Sequence, residues 1–305
     1  MITTLKDTTA QGIQNAIMAA RESVGAASGM VFTLLVDTPA AEYDEVFDAC
    51  VEAGREHPSR IIVTTDGSAK ADRLDAELHI GDEVPGEIIS LRFHGEVAHH
   101  KSSTLLPLLL PDSPVIAWWP REAPEPVSED PLGSLAQRRI TDAMGSTDPL
   151  GRLLARAEGL AAGDTDLTWT RLTPWRALLA AALDTHQAPV VGATVEAAEH
   201  NAAGLLLAAW LGSRLGLDAA FVTSDGPGIT SVRLATAEGD IVLERGDGKM
   251  ATFTAPRTPP RSVALRRREI SALITEELRR LDTDKVFQQS MACLASNVRR
   301  NNGGA

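Results

Sequence analysis

Thirteen residues near the middle of the chain concentrate the side chains best suited to gripping another molecule. The stretch Asp164-Thr165-Asp166-Leu167-Thr168-Trp169-Thr170-Arg171-Leu172-Thr173-Pro174-Trp175-Arg176 holds two tryptophans, two arginines and two aspartates, in a chain that is only 4% aromatic. Trp and Arg are the usual anchors of interface hot spots. The same residues suit a domain junction that is packed shut, because inter-domain surfaces resemble protein–protein interfaces. Upstream lie Trp118, Trp119 and Arg121, then a basic step, Arg138-Arg139, with Asp142 close behind. Guanidinium groups hold a phosphate or a carboxylate in bidentate fashion. They are equally well taken by aspartates, and Asp142, Asp164 and Asp166 are at hand. Residue types alone leave both readings open.

Signatures of catalysis are missing. There is no Walker A glycine pattern, no Gly-x-Gly-x-x-Gly after a strand, and no Gly-x-Ser-x-Gly elbow. Gly226-Pro227-Gly228 reads as a turn. His99 and His100 are neighbours that diverge by about 100° on a helix, so with His94 they do not converge on a metal. His57-Pro58 ends a helix. The cysteines, Cys50 and Cys293, form neither a disulfide framework nor a ligand spacing. No catalytic residue, metal site or cofactor is therefore expected.

The 305 residues are 44% apolar and 23% charged, as in globular domains, with a formal net charge of −12. That balance argues against nucleic-acid and anionic-membrane partners, which call for a basic footprint. No run approaches the ~18 apolar residues of a membrane span. The N-terminus lacks a basic region followed by an apolar core, so a cytoplasmic protein is expected.

Elements that would position these side chains can be read from periodicity. An N-terminal helix carries Ile13 and Ile17. Met30 to Val36 and Arg60 to Thr65 read as buried strands flanking a helix on which Tyr43, Val46, Phe47, Cys50 and Val51 share a face, a βαβ unit with parallel strands. Residues 76–80 and 88–93 form two more strands, linked through Gly81 to Gly86 as a loose hairpin. A helix is expected from Glu96 to Leu109, then a strand ending at Trp118-Trp119-Pro120. Parallel sheets place ligands outside the carboxyl ends of their strands, where Trp118, Trp119 and Arg121 stand. A short helix over Leu132 to Arg139 and another over Leu150 to Leu160 lead to Ala161-Ala162-Gly163, read as a hinge.

The central stretch then reads as an extended piece over Leu167 to Leu172, followed by a helix with Thr173 as N-cap and Pro174 in its first turn. Beyond it come a strand over Val190 to Ala197, an all-apolar helix around Leu205 to Leu211, and a three-stranded meander from Ile229 to Thr254. After Pro259-Pro260, one helix carries Ile270, Leu273, Ile274, Leu278 and Leu281, and a last helix begins at Asp282 to Asp284. A frayed polar tail is expected over Asn297 to Ala305. The expected fold is a mostly parallel α/β domain over residues 1–163, followed by an α+β domain with an antiparallel meander and helices over residues 164–305.

Three long segments carry a resemblance. Leu108-Leu109-Leu110-Pro111-Asp112-Ser113-Pro114-Val115 to Trp118-Trp119-Pro120, then Asp130-Pro131-Leu132 to Gln137-Arg138-Arg139-Ile140-Thr141-Asp142, then the Asp164 to Arg176 stretch, together with Glu56-His57-Pro58, resemble the OpcA family, closest to its actinobacterial members. These are glucose-6-phosphate dehydrogenase assembly proteins. The resemblance implies a non-enzymatic cytoplasmic partner of the dehydrogenase oligomer, promoting its oligomerisation and activity in the oxidative pentose phosphate pathway and so NADPH supply. It brings no catalytic residue and no cofactor. Trp118, Trp119, Arg138, Arg139, Asp142, Asp164, Asp166, Trp169, Arg171, Trp175 and Arg176 are the expected partner-binding or junction residues. The alternative is a sugar-phosphate or nucleotide sensor or enzyme using a crevice near Trp119, Arg121 and Arg138.

Overall fold

A computed structural model describes residues 1–24, 29–68, 70–81, 84 and 86–302. The chain divides into two compact units. One comprises Met1–Thr141, Ala161–Asp164 and Glu269–Asp282, the other Asp142–Leu160, Thr165–Arg268 and Thr283–Ala305.

The first unit opens with β1 (Ile2–Leu5), α1 (Ala10–Val24), β2 (Thr33–Asp37), α2 (Tyr43–Glu56), β3 (Ser59–Asp66), β4 (Arg73–Ile80) and β5 (Gly86–His94). It continues through α3 (Lys101–Leu105), β6 (Val115–Trp118) and β7 (Arg138–Thr141). With β8 (Asp164–Asp166) these make an eight-stranded sheet in the order β1-β4-β5-β3-β2-β6-β7-β8. The pairs β2–β3, β2–β6, β3–β5 and β6–β7 are parallel, whereas β4 pairs antiparallel with both β5 and β1. This is the expected mostly parallel α/β sheet with an antiparallel edge. Its central strands are apolar on both faces because both are covered, which is why β2 and β3 show continuous apolar runs rather than alternation. On α2 the stripe Val46, Ala49, Cys50 and Ala53 is buried, and burial pushes the Cys50 thiol pKa far up.

Two expectations here need correction. The helix expected over Glu96 to Leu109 is a 3₁₀ turn, the short α3 and a second 3₁₀ turn, Leu106–Leu108; Pro107 has no N–H to continue a helical ladder. The helix expected over Leu132 to Arg139 is one 3₁₀ turn, Gly133–Leu135, after which Arg138 and Arg139 enter β7 opposite Ile116 and Ala117. Sheet pairing overrides local propensity at that step. The four residues of β1 are too few to show a period. The β4–β5 hairpin is present, and its link at residues 82, 83 and 85 lies outside the described residues.

The second unit contains α4 (Pro149–Glu158), α5 (Leu167–Arg171), α6 (Thr173–Thr185), β9 (Val190–Ala197), α7 (Ala202–Leu215) and β10 (Ala219–Thr223). It continues with β11 (Ile229–Thr236), β12 (Ile241–Glu244), β13 (Met250–Ala255) and β14 (Thr258–Ala264). Its sheet runs β10-β9-β11-β12-β13-β14, antiparallel except at β10–β9. The meander is as expected, and α7 lies against β9 and β10 with nine of its residues buried. A strand over Pro259-Pro260 is not anticipated from the sequence. Both prolines sit in β14, an edge strand, at the register shift between Phe253↔Arg261 and Ala255↔Thr258 where the regular ladder is interrupted.

The central stretch also differs. Leu167–Arg171 is helix α5, not extended, and Leu172 stays right-handed (φ −83°, ψ −10°) as the chain runs into α6. Because the backbone never leaves helical space, Thr173 has no N-cap role. Its hydroxyl accepts instead from Arg176 Nη2 at 3.2 Å.

Two helices close the chain. The first, α8 (Ile270–Glu277), belongs to the first unit and packs on α2 with Leu273 and Ile274 buried. His57 Nε2 lies 3.2 Å from the Thr275 carbonyl, and Arg279 pairs with Glu56 at 2.8 Å. The second, α9 (Lys285–Asn302), belongs to the second unit. It is helical where a frayed tail was expected, and residues 303–305 lie outside the described ones.

Glu87, on β5, is fully buried and accepts from Arg60 Nη2 at 2.8 Å and from Arg21 Nε at 2.5 Å. Removing one partner of a buried pair leaves an uncompensated charge, so Glu87→Ala should cost ~3–5 kcal/mol in urea unfolding. The double variant Glu87→Leu/Arg60→Leu should recover much of that loss. Equal destabilisation by the single and double variants would show that the carboxylate matters for another reason.

Candidate functional site

In the first unit, sheet pairing buries the tryptophans. Trp118 ends β6 fully buried, with its indole N–H unpartnered, and Trp119 is 2% exposed, its backbone N–H donating to the Ile140 carbonyl at 3.0 Å. Placing Arg138 and Arg139 in consecutive strand positions sends them to opposite faces. Arg138 pairs with Glu277 and donates to the Asp282 carbonyl at 3.0 Å. Arg139 pairs with Asp164 and donates to the carbonyls of Ala136 and Ala162. Gly163 makes that approach feasible: its φ is +89°, and a Cβ there would stand 2.1 Å from the Gln137 carbonyl oxygen. Arg121 lies 2.8 Å from Glu42 and 3.0 Å from Glu45. The arginines proposed to hold a sugar phosphate or nucleotide near Trp119 are thus already engaged by carboxylates. That crevice reading loses its chemistry.

In the second unit, α5 and the residues before it gather the rest. Asp166 is 1% exposed and accepts from Ala143 N, from Thr168 N at 2.8 Å as the N-cap of α5, and from Arg156 Nη1 at 2.6 Å. Asp142, equally buried, takes both Nη atoms of Arg171 at 2.6 and 2.8 Å. Burial raises the Asp142 pKa, opposed by the charge and hydrogen bonds of Arg171. Trp169 donates its indole N–H to Asp284 at 2.8 Å, lies 5.7 Å from the Phe287 ring and carries the Arg176 guanidinium 3.5 Å from its ring centroid. Despite desolvation, bonds from Phe287 N, Trp169 Nε1 and Val286 N hold the Asp284 carboxyl below its ordinary pKa. Trp175 faces Arg245, whose guanidinium is 4.9 Å from its ring centroid.

These residues are therefore brought together as two interior networks, one in each unit. At 2% exposure Trp169 and Trp175 offer a partner almost nothing to grip, since a hot-spot anchor must be free before binding. Arg171 and Trp175 do, however, stand on the wall of a cavity of about 340 Å³ whose other polar residues are Asn201, Arg245, Arg266, Arg267 and Arg268. Among its described lining there is no Ser, Cys, His, Asp or Glu to serve as nucleophile or general base. Nor, among the described residues, do three His, Cys, Asp or Glu side chains gather as a metal site would require. Sequence reading assigned no site role to Arg156, Arg245, Glu277 and Asp284, whose partners are not adjacent in the chain. It also passed over Arg266-Arg267-Arg268, a run in an acidic protein that was a usable signal.

A family model described as the glucose-6-phosphate dehydrogenase subunit N-terminal domain matches residues 50–158, and one described as the subunit's C-terminal domain matches residues 162–291. No curated protein matches the chain. A solved structure described as an oxidoreductase from Sinorhizobium meliloti is 10% identical over 90% of each chain. Its TM-score of 0.42 is too low to carry an argument.

Two outcomes follow from the second-unit network. Trp169→Ala should destabilise the protein by ~3–5 kcal/mol, as for other buried large side chains, read as a lower urea midpoint. A variant as stable as the wild type would mean that the indole is dispensable to the core. Asp284, with a folded pKa below its unfolded one, contributes stability above ~pH 4 that is lost as pH falls through the folded value. The wild type should lose more stability on acidification than Asp284→Asn, and identical pH profiles would rule out that contribution.

Proposed function

Because the chain belongs to the OpcA family of glucose-6-phosphate dehydrogenase assembly proteins, we propose that it is a non-enzymatic cytoplasmic partner of the dehydrogenase, promoting the enzyme's oligomerisation and activity. One observation carries this reading: two consecutive models named for the dehydrogenase subunit match most of the chain, one over each half. Nothing in the two arginine–aspartate networks asks for bond chemistry, which agrees with a binding role. No helix among the described residues is long and apolar enough to cross a membrane.

The mechanism is a population shift. A partner changes an enzyme's affinity only if it binds one of the enzyme's states more tightly than another. For coupling of ~1–3 kcal/mol the apparent affinity changes about 5–150-fold. The interior position of Trp169 and Trp175 changes what the central stretch contributes: it holds the second unit in the shape that docks, and exposed residues make the contact. Activation of the dehydrogenase supports NADPH supply through the oxidative pentose phosphate pathway.

Adding the purified chain to its cognate dehydrogenase should lower the Michaelis constant for glucose 6-phosphate and raise the scattering mass of the complex. Unchanged constants and unchanged mass across a concentration series would end the proposal.

A further inference from the structure

The cavity in the second unit is built unlike the rest of this acidic protein. It sits where the start of α6 (Leu172, Pro174, Trp175) and the N-cap of α7 (Asn201) meet Gly228 and the segment after β14. Arg245 leaves the end of β12 at 5% exposure and makes no ion pair with a carboxylate, the charge of Asp247 offsetting its burial only in part. Its Nη atoms donate to the Leu265 and Ile229 carbonyls at 2.9 and 3.0 Å, while its Nε has no partner. Burial, then the charge of Arg267, pushes the Arg245 pKa down. Buried Leu265 anchors the strand end, so Arg266, Arg267 and Arg268 are delivered together to the cavity wall.

Gly228, with φ +75°, lets Arg267 fold in closely: a Cβ there would lie 3.0 Å from Arg267 Nη2 and 3.7 Å from Arg245 Nη2. The acids nearby are otherwise occupied. Asp142 is held by Arg171, and Asp247 accepts from the Lys249 and Met250 amides at 2.8 and 2.9 Å. The 14-residue α7 adds the positive end of its dipole, the usual seat for an anion.

We propose that this cavity is a binding site for a small organic phosphate. A buried guanidinium with an unmet donor, an exposed arginine folded over a glycine, and a helix N-terminus are all donors suited to phosphate oxygens. At about 340 Å³ the cavity fits a small molecule rather than a polymer. An apolar wall of Leu172, Pro174 and Ile229 would take the remainder of the ligand. The site is independent of the assembly role proposed above.

The test uses the isolated full chain, with no dehydrogenase present. Inorganic pyrophosphate should raise the melting temperature saturably, beyond sodium chloride at equal ionic strength. Glucose 6-phosphate and NADP serve as the sugar-phosphate and nucleotide arms, and tighter binding of either identifies the source. Arg267 is exposed, so Arg267→Gln should fold normally and bind about tenfold more weakly, the cost of one lost charge-assisted bond. Arg245→Lys, which keeps the charge but loses the planar fork, should also bind more weakly, and binding equal to the wild type would count against the proposal. No saturable shift with any of the three phosphates would overturn the proposal. So would equal binding by Arg267→Gln, or saturable binding of hexaglutamate alone, which would make an acidic protein segment the occupant.

Discussion

Much of the second unit depends on one buried carboxylate. Asp166 has almost no access to water, so its charge is tolerable only because Ala143 N, Thr168 N and Arg156 all donate to it. Those donors come from the turn after β7, the first turn of α5 and the body of α4. Their common acceptor fixes three segments that are distant in sequence. Next to it Asp142 and Arg171 repeat the arrangement, and Trp169 and Asp284 extend it to α9. Breaking the first link exposes the others to the same unfavourable electrostatics, because each charge is buried on the assumption that its partner is present.

This explains why the central stretch is dense in tryptophan, arginine and aspartate: most of those side chains build the interior of the second unit. Fixed buried pairs specify one arrangement, and large aromatic faces seal it from solvent. Interface anchors and interior seals draw on the same residue types, so composition alone does not separate them. Burial does: the indoles are inside. The functional signal lies in the family match and, independently, in an arginine-lined cavity whose residues are scattered from Arg171 to Arg268.

How much of this was legible depended on the range of the forces involved. The βαβ unit of β2, α2 and β3 was readable because continuous apolar runs and a helical stripe are local consequences of burial. The meander was readable from its turns. Arg138-Arg139 reads as helical because its strand conformation is imposed by pairing with β6, and nothing within the step itself encodes the partner strand. Likewise Leu167–Arg171 looks extended by alternation, yet Asp166 caps it as a helix through a bond visible only at N-cap geometry. The pairings of Arg156, Glu277 and Asp284 span up to 139 residues and leave no trace in any short window.

The return of α8 to the first unit has a consequence for how the protein is made. A ribosome that has released residues 1–164 has delivered every strand of that unit's sheet from β1 to β7, but not the helix that packs on α2. The bed for Leu273 and Ile274 therefore faces water, or a chaperone, until the second unit's long segment Thr165–Arg268 has been synthesised in between. Final closure of the first unit is a late event in translation, and nascent chains halted before residue 282 carry an apolar flank that the finished protein hides.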